Sequence, residues 1–155
     1  MHQVTIICFG KLKESYWREA CEEYAKRLSA FCKLEVAELP PVPLPDEPSP
    51  AQIAQALAQE AARASAKIPR GATVVALCVE GKQITSQEFS RFITSEGKTA
   101  LLVGSSFGLD ESLKRRAQAC VSLSKMTFPH QLARVLLLEQ LYRGFQIAAG
   151  GKYHK

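Results

Sequence analysis

Ionisable side chains crowd the last part of this chain. It ends Gly150-Gly151-Lys152-Tyr153-His154-Lys155, and a carboxylate and a guanidinium, Glu139 and Arg143, stand four residues apart just upstream. Chain ends usually fray and tolerate change, so Tyr-His-Lys placed directly after two glycines reads as a tail folded back over a site. Glu139 and Arg143 have the i to i+4 order of a surface ion pair. Arg134 lies among Leu137, Leu138 and Leu141 at helical neighbour spacing, where a charge stays only if it is paired. Two roles are open to it: a salt bridge, within the chain or between subunits, or an anion-binding arginine reaching a phosphate. His130, beside Pro129 at the start of the same helix, reads as a structural or capping residue.

The element that must position these groups is a helix from Gln131 to Ala149. Its apolar residues Leu132, Val135, Leu136, Leu137, Leu138, Leu141, Phe145 and Ile147 circle nearly the whole wheel instead of forming one stripe. Such a helix is buried on several sides. One layered domain covers one or two of them, which makes a two-fold homodimer the expected way to cover the rest.

Upstream, strands and helices alternate. Val4–Phe9 is a strand closed by Gly10, Ser15–Phe31 an amphipathic helix capped by Ser15, and Leu34–Leu39 a second strand. Pro40 to Pro50 holds six of the eight prolines and must be loop. Ser49-Pro50 then opens a helix to about Lys67. Thr73–Val79 is a buried strand, Glu80-Gly81-Lys82 a turn, Ser86–Ser95 a short helix and Thr99–Val103 a strand. Gly104–Gly108 is a loop, Asp110–Ala119 a helix capped by Asp110, and Val121–Leu123 a last short strand. Repeated β-α-β units with short links predict an α/β domain: a mostly parallel sheet with helices on both faces.

Composition narrows the class. With 155 residues, 46% hydrophobic and 23% charged, the chain suits a single domain with its own core, and no apolar run approaches the roughly 18 residues of a membrane span. Met1-His-Gln leads straight into a strand, so no signal peptide and no membrane are expected. Five cysteines at 8, 21, 32, 78 and 120, without C-x-x-C spacing, suggest neither disulfides nor zinc. They read as reduced thiols of a cytoplasmic protein, mostly in the core, and no metal is expected. A net charge of +5 and a pI near 9.0 are compatible with nucleic acid without demonstrating it. Lys11, Lys13, Lys114-Arg115-Arg116, Lys125, Arg134, Arg143, Lys152 and Lys155 place basic charge mainly in the second half, which suits phosphate contacts.

Ligands of parallel sheets bind beyond the carboxyl ends of the strands. Three segments end strands with small or special residues: 77–81, Val103 to Leu109 around Gly104 and Gly108, and 123–129. They should converge on one pocket, where glycine lets backbone approach a ligand. The G-x-G-x-x-G of a dinucleotide site and the G-K-[ST] of a P-loop are both missing, which disfavours those classes.

These residues also carry a resemblance. Leu101-Leu-Val-Gly104-Ser-Ser-Phe-Gly108-Leu109, Ser122-Leu-Ser-Lys-Met-Thr-Phe-Pro-His130, the helix from Arg134 through Glu139-Gln-Leu-Tyr-Arg143, and terminal Tyr153-His154-Lys155 together resemble the large-subunit ribosomal RNA methyltransferase H family of knotted SPOUT methyltransferases. The resemblance spans the chain and is most specific from Leu101 onward. It implies a deep C-terminal trefoil knot, against the usual rule that chains do not thread loops, and a homodimer. S-adenosylmethionine is implied as methyl donor, contacted by Leu77, Gly104, Leu123, Ser124, Lys125, Met126, Thr127 and Phe128. The implied reaction is methylation of N3 of a pseudouridine in a 23S rRNA hairpin loop, with the assembled ribosome as substrate.

That chemistry gives the tail a purpose. A sulfonium methyl is already activated, so the enzyme must align donor and acceptor and help a weakly acidic ring N–H lose its proton. His154 is the expected group that contacts or deprotonates the base, since imidazole titrates near neutrality. Tyr153 is expected to stack on it or hydrogen-bond to it, and Arg143 to stabilise negative charge on the ring. Glu139 is expected to pair with an arginine and not to act as base. Two departures from the family pattern stand out: Ser105 follows Gly104 where a second glycine is usual, and Lys152 replaces a common proline. Two other readings compete, a noncatalytic RNA- or ribosome-binding protein and a SPOUT enzyme methylating tRNA ribose.

Overall fold

In a computed structural model of the protein, residues 1–95 and 97–155 are described. The elements run β1 His2–Phe9, α1 Ser15–Leu28, β2 Cys32–Leu39, α2 Pro50–Ser65, β3 Thr73–Gln83, α3 Ser86–Thr94, β4 Lys98–Val103, α4 Glu111–Arg116, β5 Ala119–Ser122 and α5 His130–Ala148. The five strands form one sheet in the order β2-β1-β4-β3-β5, with every pairing parallel.

Helices cover both faces, and strand alternation sorts the residues between them. Val4, Ile6 and Cys8 of β1, with Val75 and Leu101, face a core shared with Leu28 of α1, Phe89 and Ile93 of α3, and Leu137, Leu138, Leu141 and Phe145 of α5. Ile7 and Phe9 point the other way, with Val74, Ala76, Ala100 and Leu102, against Ala61 and Ala64 of α2 and Leu113 of α4. The near-continuous apolar runs of β1 and β4 are those of strands buried on both sides. Local signals are met at two helix starts: Ser49 with Gln52, and Thr85 with Glu88, form capping boxes, and Pro50 occupies the first turn of α2. Segment 40–49 contains neither helix nor strand.

Several boundaries differ from expectation. Glu14, not Ser15, is the cap of α1, and its side chain makes no capping bond. The Nη1 of Arg18 instead donates to the carbonyl oxygens of Leu12 and Lys13 and fixes the entry to the helix. The helix stops at Leu28 and β2 begins at Cys32. Glu80-Gly81-Lys82 is not a turn: β3 continues to Gln83, with a register shift in which both Leu77 and Lys82 oppose Val121 of β5. A Cβ on Gly81 would lie 2.7 Å from the Val121 carbonyl carbon, so this glycine marks close backbone approach. Helix α4 ends at Arg116, short of Ala119, because Gln118 already pairs with β3: its N–H donates to Val74 O at 2.8 Å, and its Oε1 accepts from Val74 N at 2.6 Å.

Helix α5 packs between α1 and α3. Ser90 Oγ donates to the carbonyl oxygen of Gly144 at 2.6 Å, and a Cβ on Gly144 would approach Ile93 Cδ1 to 2.6 Å, so this glycine allows the α3 crossing. Leu132, Val135, Leu136 and Ile147 remain half-buried.

Candidate functional site

The carboxyl ends of β3, β4 and β5 enclose a cavity of about 470 Å³, within the ordinary range for small-molecule sites. Its walls contain Leu77, Gly104, Leu123, Ser124, Met126, Thr127 and Phe128, all expected from sequence; Lys125 of the same loop is exposed and does not line it. The 104–108 turn is tightly closed. Ser105 and Gly108 form an isolated bridge, Gly108 N–H donates to Ser105 O at 2.9 Å, and a Cβ on Gly104 would lie 2.5 Å from the carbonyl carbon of Gly108. Gly108, at φ +87°, takes the left-handed conformation that glycine tolerates best. Phe107, Leu123 and Met126 add an exposed apolar rim. These features fit a nucleoside-sized ligand with an apolar face.

The walls also contain groups that sequence reasoning missed. Glu80 and Lys114 form an ion pair at the cavity, and Lys114 also reaches Glu111 at 3.3 Å. The Lys114 hydrogen bond holds the Glu80 carboxyl below its ordinary range, while Glu80 raises the lysine. Both therefore stay charged near neutrality. Cys78 lines the cavity too, but burial, reinforced by Cys120, pushes its thiol up to about 12, which makes it a poor nucleophile. His130 is the first residue of α5, directly after the N-cap Pro129, and borders the cavity. For Glu80 the signal that would have found it is the strand extension past Val79, which the Glu-Gly-Lys sequence disguised. All five cysteines are free thiols; Cys8 and Cys32 are buried and the other three half-buried.

The tail folds back as expected. Gly150, at φ +71°, reverses the chain, and Gly151 N–H donates to Gln146 O at 2.8 Å, so 152–155 runs back along α5. Glu139 is the hub. Its Oε1 accepts from Arg143 Nε at 3.0 Å, Arg143 Nη2 at 2.6 Å and Tyr153 Oη at 3.0 Å, and its Oε2 accepts from Gln140 Nε2 at 2.8 Å. The pair expected on the surface is thus part of a half-buried network, with Glu139 in the ion-pairing role. Arg143 lies over the Tyr153 ring at 4.8 Å, and Tyr142 meets that ring edge-on at 4.8 Å. Burial first, and then the Glu139 bond, push the Tyr153 phenol up to about 12, so it acts as a donor and not as a phenolate base.

Both ring nitrogens of His154 are engaged. Arg143 Nη1 lies 3.1 Å from Nδ1 and the Gln87 amide 3.0 Å from Nε2. A guanidinium can only donate, so Nδ1 accepts from Arg143. Lys152 and Lys155 are exposed. Arg134 resolves to the salt bridge: it is buried, with Nη1 2.5 Å from Glu38 Oε2 and Nη2 donating to Gly10 O at 3.0 Å.

The pocket and the tail are brought onto one helix but not together. Ala133 lines the cavity and Arg143 comes ten residues later, about 15 Å along the helix axis. No tail residue lines the cavity.

A wholly parallel α/β domain whose strand-end loops form a nucleoside-sized pocket is a nucleotide- or cofactor-binding fold of the doubly wound type. Residues 2–154 match the family described as "Predicted SPOUT methyltransferase", and the chain belongs to that family. It is 44% identical, over 99% of both chains, to ribosomal RNA large subunit methyltransferase H of Streptococcus equi subsp. zooepidemicus. To the protein of that name from Clostridium beijerinckii it is 45% identical, over 98% of this chain and 99% of the relative. Two solved structures share the fold at low identity. One is a probable methylase family protein from Haemophilus influenzae (TM-score 0.56, 13% identity, 98% of this chain and 70% of that one). The other was determined in a study of 2-OH methylation of C/U34 on tRNA (TM-score 0.55, 18% identity, 96% and 98%).

Proposed function

We propose that the chain transfers a methyl group from S-adenosylmethionine to N3 of a pseudouridine in a 23S rRNA hairpin loop, on the assembled ribosome and as a cytoplasmic homodimer. The observation that carries this reading is the match, end to end, to relatives named ribosomal RNA large subunit methyltransferase H. The pocket supports it, because its walls contain seven of the eight residues expected to contact the cofactor. The C-terminal trefoil knot belongs to the same proposal.

When bound, S-adenosylmethionine supplies an already activated methyl group, so the protein's work is alignment and proton handling. Leu77, Gly104 and the 123–128 loop hold the donor. Across the acceptor, Arg143 contributes a cation and Tyr153 an aromatic ring in fixed relation, both held by Glu139. Turning the Arg143 guanidinium from His154 Nδ1 toward the ring would free the imidazole lone pair to take the N3 proton and place positive charge where negative charge develops. The roughly 15 Å between pocket and Arg143 along α5 favours a site made from one protomer's pocket and its partner's tail. The half-buried Leu132, Val135 and Leu136 offer α5 a surface for that partner.

The test is labelled methyl transfer from S-adenosylmethionine to ribosomes lacking the modification, beside naked 23S rRNA and tRNA, with the product nucleoside identified by mass spectrometry. 3-Methylpseudouridine from ribosomes alone is expected. A 2′-O-methyl product on tRNA would reassign the substrate, and ribosome binding indifferent to S-adenosylmethionine, without transfer, would favour a noncatalytic binder.

A further inference from the structure

One carboxylate is buried behind the Gly104–Gly108 loop. Glu60 of α2 is 4% exposed and does not line the cavity. Its Oε1 accepts from Ser105 Oγ at 2.7 Å, and its Oε2 accepts from the backbone N–H of Val42 at 3.0 Å. Both partners are neutral. A buried carboxyl group is tolerated where hydrogen bonds satisfy its oxygens, and these two bonds join α2 to two separate segments of the chain.

One segment is the cofactor loop. Gly104 precedes the Ser105–Gly108 bridge and Gly108 is one of its partners, and glycine gives a free loop many backbone states to lose on binding. Among the described residues, Ser105 Oγ to Glu60 is the side-chain hydrogen bond that anchors this loop to the rest of the fold. The other segment is the proline-rich stretch, where Val42 stands between Pro41 and Pro43, whose rings restrict the backbone. One turn along α2, Arg63 Nη1 donates to Pro40 O at 2.7 Å, so the same helix grips that stretch twice.

We infer that Glu60 is a positioning residue for the methyl-donor site: through Ser105 it holds the cofactor loop in its binding conformation, and through Val42 it ties that conformation to segment 40–49. The inference rests on the cofactor reading above. Its effect is pre-organisation, which raises affinity by removing ordering costs from the binding step.

Calorimetric S-adenosylmethionine titration of wild type, Ser105→Ala, Glu60→Ala, their double variant and Glu60→Gln tests it, with KM and kcat measured alongside. Ser105→Ala and Glu60→Ala should each raise Kd and the cofactor KM about tenfold, the factor that ~1.4 kcal/mol of lost hydrogen bonding carries. At saturating cofactor kcat should change far less, and the double variant should be no worse than the weaker-binding single one. Glu60→Gln, which offers Val42 an acceptor and Ser105 an N–H, should bind more tightly than Glu60→Ala. Should Glu60→Ala fail to fold, Ser105→Ala and Glu60→Gln decide alone. Unchanged Kd in Ser105→Ala, or losses that simply add in the double variant, would overturn the inference. A wild-type chain that binds no S-adenosylmethionine would instead overturn the cofactor reading on which it rests.

Discussion

The two ends of α5 are built on opposite principles. At the His130 end, recognition is a matter of backbone: a closed glycine turn, strand-end loops and an apolar rim, with the charged pair Glu80 and Lys114 at the cavity. At the Arg143 end it is a matter of side chains, with Glu139, Arg143, Tyr153, His154 and Gln87 each satisfied by another. On the proposed function, shape at the first end selects the methyl donor, and charge and hydrogen bonding at the second suit an acceptor that must lose a proton. The first end should therefore be sensitive to added volume and the second to deleted polarity.

The largest expected effects separate the two ends. His154→Ala should lower kcat ~100-fold or more, the range of a lost general base, with calorimetric cofactor Kd unchanged. Gly104→Ala should do the reverse, weakening cofactor binding by up to ~100-fold through ~1–3 kcal/mol of strain against Gly108. Co-expressing the two variants sharpens the comparison: random assembly of a composite two-fold dimer would restore about a quarter of wild-type activity, whereas a site within one chain would restore none.

A smaller effect is expected at the hub. Glu139→Gln should cost ~2 kcal/mol of stability in denaturant unfolding, as charged hydrogen bonds to Arg143 and Tyr153 weaken. It should also lower kcat while leaving cofactor Kd alone. Equal losses in kcat and in cofactor affinity would mean that the two ends communicate.

The smallest effect concerns pH. The Tyr153 phenol titrates at about 12 when folded, above the usual tyrosine value near 10, so its contribution is fully present below pH ~10 and is lost as pH rises through 12. Ultraviolet titration should show one late-ionising phenol that disappears in Tyr153→Phe. A wild-type profile in which every phenol ionises near pH 10 would detach the tail from Glu139.

The parallel sheet with helices on both faces was legible because β1 and β4 carry unbroken apolar runs and helix-start signals stand at Ser49-Pro50 and Asp110. The pocket was legible because its loops concentrate glycine and small residues after strands. Other features were not, for reasons particular to each. Glu80-Gly81-Lys82 has turn composition yet continues β3, since the glycine serves a neighbouring backbone and leaves no periodic trace. Glu139 and Arg143 have the spacing of a surface pair, and only the return of Tyr153 and His154 turns them into a half-buried network. The Glu60 contacts join residues 18 and 45 positions apart, and nothing local encodes them.

The sequence by itself determined the layered α/β class, the turn of the tail back along α5 and the composition of the pocket, because hydrophobic period, capping and glycine placement act over a few residues. Tertiary structure alone decided that Arg134 is spent on Glu38 and Gly10, that Glu60 accepts from Ser105 of the 104–108 loop, and that Ala133 at the pocket and Arg143 at the tail stand about 15 Å apart along one helix. Those are pairings between distant segments, and only the packed sheet and helices bring such residues within hydrogen-bonding distance.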